Sequence, residues 1–299
     1  VVDLCCGIGG DAMGLMHAGI EVVGVDADPV RAWMCGVNAA CQTRTADVLD
    51  AALPDGPFVL DPARRTSTSA GQRRVFHLDQ HAPSPDAWRE IIRHRKCGVI
   101  KLSPGLDFDD VSRAIGEVPH RFEVLSEHGQ LTQGLVWIGD WADRRIGWRT
   151  ATLLGEHAAC VEGSAQDVGE PEAGDLSRYL LEADAAIERC NLLGVGAARH
   201  KLRSLAPGLG LLTADEPVAD PAMQVFEVCE SLPWNERSIR AWLRGHDGGV
   251  VEVKTRAGVV STDELQRKLR GEGSVIYTVF VLRIGTVLRA VITRRVRCA

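Results

Sequence analysis

The sequence predicts an α/β protein: a Rossmann-like doubly wound sheet followed by a smaller α+β domain. Three observations carry this. An apolar strand runs into a glycine turn within VVDLCCGIGG, residues 1–10. Further apolar strands each end in an acid. Past residue 175 a second α+β pattern begins.

Taken in order, Val1, Val2 and Leu4 read as a buried strand, and Gly7, Gly9 and Gly10 let the backbone turn tightly and approach a ligand with no Cβ in the way. Residues 11–18 are good helix formers, so the turn opens a helix whose free N–H groups face the ligand. The strand at 22–25 runs into Asp26, about 20 residues after the glycines, where a carboxylate can accept both hydroxyls of a ribose. Ala46-Asp47 supplies a third strand-end acid, suited to an adenine amino group, and Val59-Leu60-Asp61-Pro62 ends a fourth strand in an Asp-Pro step. Gly7, Gly9 and Ala12 also satisfy the dinucleotide spacing G-x-G-x-x-A, so a nicotinamide oxidoreductase stays open. Asp3 favours the other reading: an acid inside the first strand, where a dinucleotide fold keeps an apolar residue, can help hold the ammonium group of S-adenosylmethionine.

This series of strand ends resembles the class I S-adenosylmethionine-dependent methyltransferases. The resemblance implies that Asp3, Gly7, Gly9, Gly10, Asp26 and Asp47 hold the cofactor and that the last strand of the sheet is antiparallel. Many amine-directed members carry Asn or Asp, Pro, Pro and an aromatic at the fourth strand. Here the step is Asp61-Pro62-Ala63-Arg64. Asp61 and Pro62 are the catalytic candidates, while Ala63 and Arg64 replace the second proline and the ring, which weakens any simple purine-amine specificity. Arg64, Arg65, Lys101 and Ser103 are the substrate-binding candidates; a guanidinium can stack on a base or pair with a phosphate, or tether a nearby acid such as Asp61 or Asp79.

Past the Asp-Pro step, 66–72 reads as a loop and 82–85 as a turn before a helix over 86–95. A strand over 97–102 is stopped by Ser103-Pro104-Gly105, and a helix over 107–117 leads to strands around 121–125 and 134–141. Residues 156–175 are acidic and Gly-rich, as a linker or surface excursion would be. The expected domains are therefore 1–155, the linker 156–175, and 176–299. In the last, helix signals span 184–202, a strand spans 224–230, and Asn235 is a plausible cap for a helix to 244. A strand follows at 250–254, then a helix opened by Ser261-Thr-Asp-Glu264 with capping-box spacing, then strands at 274–283 and 286–294. Val251-Glu-Val-Lys-Thr-Arg256, Glu264-Leu-Gln-Arg-Lys-Leu-Arg270, Asp61-Pro-Ala-Arg-Arg65 and Lys101-Leu-Ser-Pro104 resemble a bacterial family in which a THUMP-like domain follows the methyltransferase domain. That resemblance implies an RNA substrate, tRNA or rRNA; an RNA-binding protein with a vestigial catalytic half is the alternative.

Composition sets the bounds. With 299 residues, 45% of them hydrophobic, the chain can bury a large core. A net charge of -6 excludes a uniformly basic surface, so nucleic acid would need a local patch, such as Arg64, Arg65, Arg73 and Arg74, or Arg294, Arg295 and Arg297. The 9 cysteines are scattered without metal-ligand spacing, so neither a metal site nor a disulfide framework is expected. No apolar run approaches the ~20 residues that span a bilayer, and no leader precedes the first strand, so the expected location is cytoplasmic. Val1 already lies inside that strand with no initiating Met, so an upstream segment is expected to be missing.

Overall fold

A computed structural model describes residues 1–299 except 51, 65–77, 106, 144–146, 165–168, 257 and 297–299. The chain divides into two units, Val1–Leu154 and Gly155–Ala299.

The first unit runs β1 (Val2–Leu4), α1 (Gly10–His17), β2 (Val23–Asp26), α2 (Pro29–Ala39), β3 (Gln42–Thr45), β4 (Phe58–Leu60), β5 (Ala63–Arg64), β6 (His81–Ala82), α3 (Pro85–Arg95), β7 (Gly98–Leu102), α4 (Phe108–Ile115), β8 (His120–Glu127), β9 (Gln130–Ile138) and β10 (Trp148–Leu154). Its main sheet has the order β3-β2-β1-β4-β7-β9-β8-β10. Strands β3, β2, β1, β4 and β7 are parallel, and β9, the strand read at 134–141, is antiparallel to both its neighbours, as the resemblance implied of the last strand; it is not the last one, since the unanticipated β10 follows it, parallel to β8. The order reverses between β1 and β4, which opens a crevice beyond their carboxyl ends.

Local chemistry explains the helices that line it. Asp28 caps α2, accepting from the N–H groups of Val30 at 2.8 Å and Arg31 at 3.2 Å, with Pro29 preset at the first helical position. Ser84 and Pro85 do the same for α3. Trp88, Ile91 and Ile92 of α3 pack with Val2, Leu4, Phe58, Leu60 and Ile100 of the central strands into one core. Each large side chain so buried contributes about 1.5–3 kcal/mol.

The second unit runs β11 (Ala159–Ser164), β12 (Tyr179–Ala183), α5 (Ala185–Arg189), α6 (Leu193–His200), β13 (Arg203–Ser204), β14 (Leu211–Ala214), β15 (Met223–Pro233), α7 (Glu236–Gly245), β16 (Gly248–Thr255), α8 (Thr262–Leu269), β17 (Val275–Ile284) and β18 (Val287–Val296). The sheet order is β13-β14-β12-β15-β18-β17-β16, with β16 and β17 parallel and the other pairs antiparallel. Ile239 and Leu243 of α7 and Leu265 and Leu269 of α8 close over Val251, Val253, Val279 and Val281.

Some local expectations change. Residues 156–175 contain β11, in which Val161 and Gly163 alternate inward with exposed Cys160 and Glu162. The helical stretch 184–202 is two helices, because Asn191 takes a left-handed φ of 56° between them. Asn235 caps α7 as read, accepting from Arg237 at 2.9 Å and Ser238 at 3.1 Å. Ser261 stands at the cap position of α8, but its side chain makes no capping bond.

Candidate active site at the ends of the parallel strands

The turn after β1 is built as the glycines require. Gly7 has φ 53° and Gly9 φ 93°, and a Cβ on Gly9 would meet Cys35 Cα at 3.0 Å. Gly9 therefore lets the turn press against α2, while a Cβ on Gly7 or Gly10 would meet nothing within 4 Å. Those two glycines keep open space in front of the first turn of α1.

Around this turn the structure assembles two charged groups. At the end of β2, Asp26 is 5% exposed and its carboxylate accepts from four donors. Oδ2 takes Gly7 N–H at 3.0 Å, and Oδ1 takes Asp28 N–H at 2.9 Å and the Arg31 guanidinium through Nε at 3.1 Å and Nη2 at 2.9 Å. Asp26 thus ties the glycine turn to the head of α2, and one lone pair of Oδ2 remains for a further donor.

At the β1–β4 reversal, Asp3, Asp11, Asp61 and Lys101 form the second group. Lys101 Nζ donates to both oxygens of Asp11 at 2.7 Å and lies 3.3 Å from Asp61 Oδ2. Burial alone would lower the Lys101 pKa, but Asp11 and Asp61 outweigh it and hold the pKa above the ordinary lysine value. Asp3 is wholly buried, and neither of its oxygens has a hydrogen-bond partner among the described residues. Burial first, then the neighbouring charge of Asp11, push its pKa from 3.8 up to about 7; Asp61 adds to the rise, and Lys101 and the Ala12 amide only partly oppose it. An unpartnered carboxylate costs stability unless something else completes it.

The remaining sequence candidates divide. Asp47 lies exposed just past β3, its Oδ1 accepting from Leu49 N–H at 2.9 Å, and shares no described contact with the two groups. Pro62 is buried behind half-exposed Asp61. Ser103 is 8% exposed, and its Oγ accepts from Gly105 N–H at 3.4 Å. The backbone of Arg64 pairs with that of His81. The Arg64 side chain and Arg65, like Arg73, Arg74 and Arg297, lie outside the described residues. Arg294 and Arg295 pair with Glu227 at 3.3 Å and Glu252 at 3.2 Å.

Three site residues were not anticipated. Asp11 reads in sequence as a first-turn helix acid, and only the fold brings it to Lys101. Arg31 sits on the turn that Asp28 and Pro29 open, and that placement was a usable signal. Cys5 has φ 62°, a region non-glycine residues seldom adopt, and burial together with Asp26, Asp3 and Asp61 pushes its thiol up to about 12.

Strand order, glycine turn and acid-lined crevice together define a class I methyltransferase fold. A family model described as THUMP domain-like matches residues 223–295. Two proteins of Mycobacterium tuberculosis, from strains CDC 1551 / Oshkosh and ATCC 25618 / H37Rv, are each named an uncharacterised S-adenosylmethionine-dependent methyltransferase. They are 34% identical to this chain over 292 residues, covering 95% of it and 77% of their own length. A solved structure from Porphyromonas gingivalis W83, of a protein presumed to be a methyltransferase, superposes with a TM-score of 0.78 over 99% of this chain and 77% of that one. At 17% identity this likeness is one of fold.

The chain belongs to the S-adenosylmethionine-dependent methyltransferases. The dinucleotide alternative left open by Gly7, Gly9 and Ala12 is thereby set aside. The site fits the cofactor on its own terms: Asp3 is a buried acid with no side-chain donor among the described residues, S-adenosylmethionine carries an ammonium group, and open backbone lies before Gly7 and Gly10. When bound, the cofactor supplies an electrophilic methyl group on a sulfonium. Among the described residues no group of three or more His, Cys, Asp or Glu could hold a metal ion, and no helix is long and apolar enough to cross a membrane. Cys5, Cys6, Cys35, Cys41, Cys97 and Cys229 are free thiols.

Proposed function

We propose that this methyltransferase modifies a base nitrogen of RNA, tRNA or rRNA, in the cytoplasm. The observation that carries the reading is the THUMP-like match at 223–295 on the same chain as the methyltransferase unit. In this reading Asp3 holds the cofactor ammonium, Gly7, Gly9 and Gly10 cradle its chain, and Asp26 accepts a ribose hydroxyl through Oδ2. Asp47 faces the adenine amino group.

The half-exposed Asp61 accepts a hydrogen bond from the target N–H, with the Pro62 backbone completing the grip. Lys101, 3.3 Å from Asp61, fixes its orientation and meets the substrate beside Ser103. Arg64 and Arg65 serve the flanking nucleotides by stacking or phosphate pairing. Because methyl transfer needs reacting atoms held about 3–3.5 Å apart, positioning by these groups carries much of the catalysis.

The test is transfer of a labelled methyl group to total RNA from cells that lack the protein. Label entering RNA and recovered in a methylated base nitrogen is the expected result. RNA left unlabelled by protein that binds S-adenosylmethionine would overturn the substrate assignment, and label on protein or small molecules would redirect it.

A further inference from the structure

In the second unit, α7, α8 and the loops after them enclose a cleft of about 350 Å³ lined by Arg240, Arg244 and Arg270. We propose that this cleft binds the sugar-phosphate backbone of an RNA strand, independently of the methyl-transfer crevice. The proposal rests on the RNA reading above.

The first argument is electrostatic. Several cations of this unit are paired with carboxylates. Arg256 lies 3.1 Å from Glu182 and 2.9 Å from Glu188, Lys268 lies 2.7 Å from Glu264, and Lys254 pairs with Glu182. Arg240, Arg244 and Arg270 are exposed, and none of their guanidiniums makes an ion pair or hydrogen bond with a described residue. Arg240 and Arg244 lie four residues apart on α7, side by side on one face, and Arg237 extends the same stripe. Of the two acids in the lining, Asp247 is turned toward Ser274: its Oδ2 accepts from Ser274 N–H at 3.2 Å and Ser274 Oγ–H at 2.5 Å. With Glu272 the lining holds two carboxylates against three guanidiniums, an excess of one positive charge.

The second argument is the floor. Backbone lies directly on backbone there, with Gly271 N–H on Gly249 O at 2.9 Å and Gly273 N–H on Gly248 O at 3.2 Å. A Cβ on Gly249 would fall 2.0 Å from Gly273 O, and one on Gly271 2.2 Å from Gly248 O. The glycines are required by this contact, which gives the arginines a rigid, side-chain-free base. Planar guanidiniums that are unpaired and held over such a base suit phosphate oxygens, which they can grip two bonds at a time.

The test measures binding of a fluorescein-labelled single-stranded RNA, and of DNA of the same sequence, to the full chain and to the Arg240→Gln/Arg244→Gln/Arg270→Gln variant from 50 to 300 mM salt. Arg283→Gln, an exposed arginine outside the cleft, is the control. The variant is expected to bind RNA about tenfold more weakly, with a log-log salt slope smaller by about 2, the control to match the wild type, and both to bind S-adenosylhomocysteine normally. In a parallel readout needing no variant, RNA should protect Arg240, Arg244 and Arg270 of the wild type from phenylglyoxal.

Wild-type protein that binds no RNA at 50 mM salt overturns the RNA reading of the whole chain. RNA binding that the variant retains in full, or absence of protection, overturns the assignment of the cleft alone. Tighter binding of the DNA would also overturn it, in favour of a different nucleic acid.

Discussion

Asp3 predicts a pH-dependent cofactor affinity whose size follows from its surroundings. Its carboxyl has a pKa of about 7 in the folded chain, against 3.8 ordinarily. The native state without cofactor therefore holds a proton that the unfolded chain releases. Stability from this group is fully present below about pH 4 and is lost as pH rises through 7, by about 4 kcal/mol in all. An ammonium group placed against Asp3 needs the ionised form. That form is a minor one at pH 6 and the major one at pH 7.5, so affinity should rise about eightfold from pH 6 to pH 7.5.

Calorimetric titration with S-adenosylhomocysteine at pH 6, 6.7 and 7.5, in two buffers of different ionisation enthalpy, measures both the affinity and the protons released. Close to one proton should leave per ligand bound at pH 6. Asp3→Asn should bind weakly with no such dependence, and by urea unfolding it should be more stable than wild type at pH 8, by up to about 4 kcal/mol, with the difference shrinking to below about 2 kcal/mol at pH 5 and vanishing below about pH 4. A wild-type affinity flat from pH 6 to 7.5, with no proton release, would refute the reasoning.

Other outcomes follow from the same geometry. Gly10→Ala places a methyl group in space that no protein atom fills, so thermal unfolding should be unchanged or slightly higher, while calorimetry shows cofactor binding weakened about tenfold or more, 1.4 kcal/mol; unchanged affinity would show that nothing binds against this turn. Asp26→Ala should weaken binding by about 1.5–3 kcal/mol per charge-assisted bond lost and also lower Tm, since Gly7 and Arg31 lose their acceptor. Arg31→Ala should cost less affinity, because Asp26 keeps its bond to Gly7. Asp61→Ala should leave S-adenosylhomocysteine affinity within about twofold, a few tenths of a kcal/mol, and abolish methyl transfer; full turnover in that variant would remove Asp61 from the catalytic assignment.

The parts legible in the sequence were those whose physics is local. The β1 strand, the glycine turn and α1 follow from consecutive residues, and so do the Asn235 cap of α7 and the paired strands β17 and β18. Asp26 could be placed at the end of β2 because an apolar run stops there. Its partners were not legible: Arg31 reaches back along a turn, and Gly7 meets it only when β1 and β2 lie side by side. The Lys101–Asp11 pair joins residues 90 positions apart, which no spacing rule connects. β11 was hidden because its stretch is acidic and Gly-rich, and only the inward alternation of Val161 and Gly163 marks it as a strand. The cleft in the second unit was hidden because Gly248 and Gly249, at the start of β16, meet Gly271 and Gly273 only in the folded chain, more than 20 positions on.

The most direct test of the account is a crystal structure with S-adenosylhomocysteine bound. The account predicts the ligand's amino group about 2.7–2.9 Å from an Asp3 oxygen, the distance of a charge-assisted bond, with its chain crossing Gly7 to Gly10 and its ribose at Asp26. A ligand bound elsewhere, or one that leaves Asp3 without a partner, would contradict it.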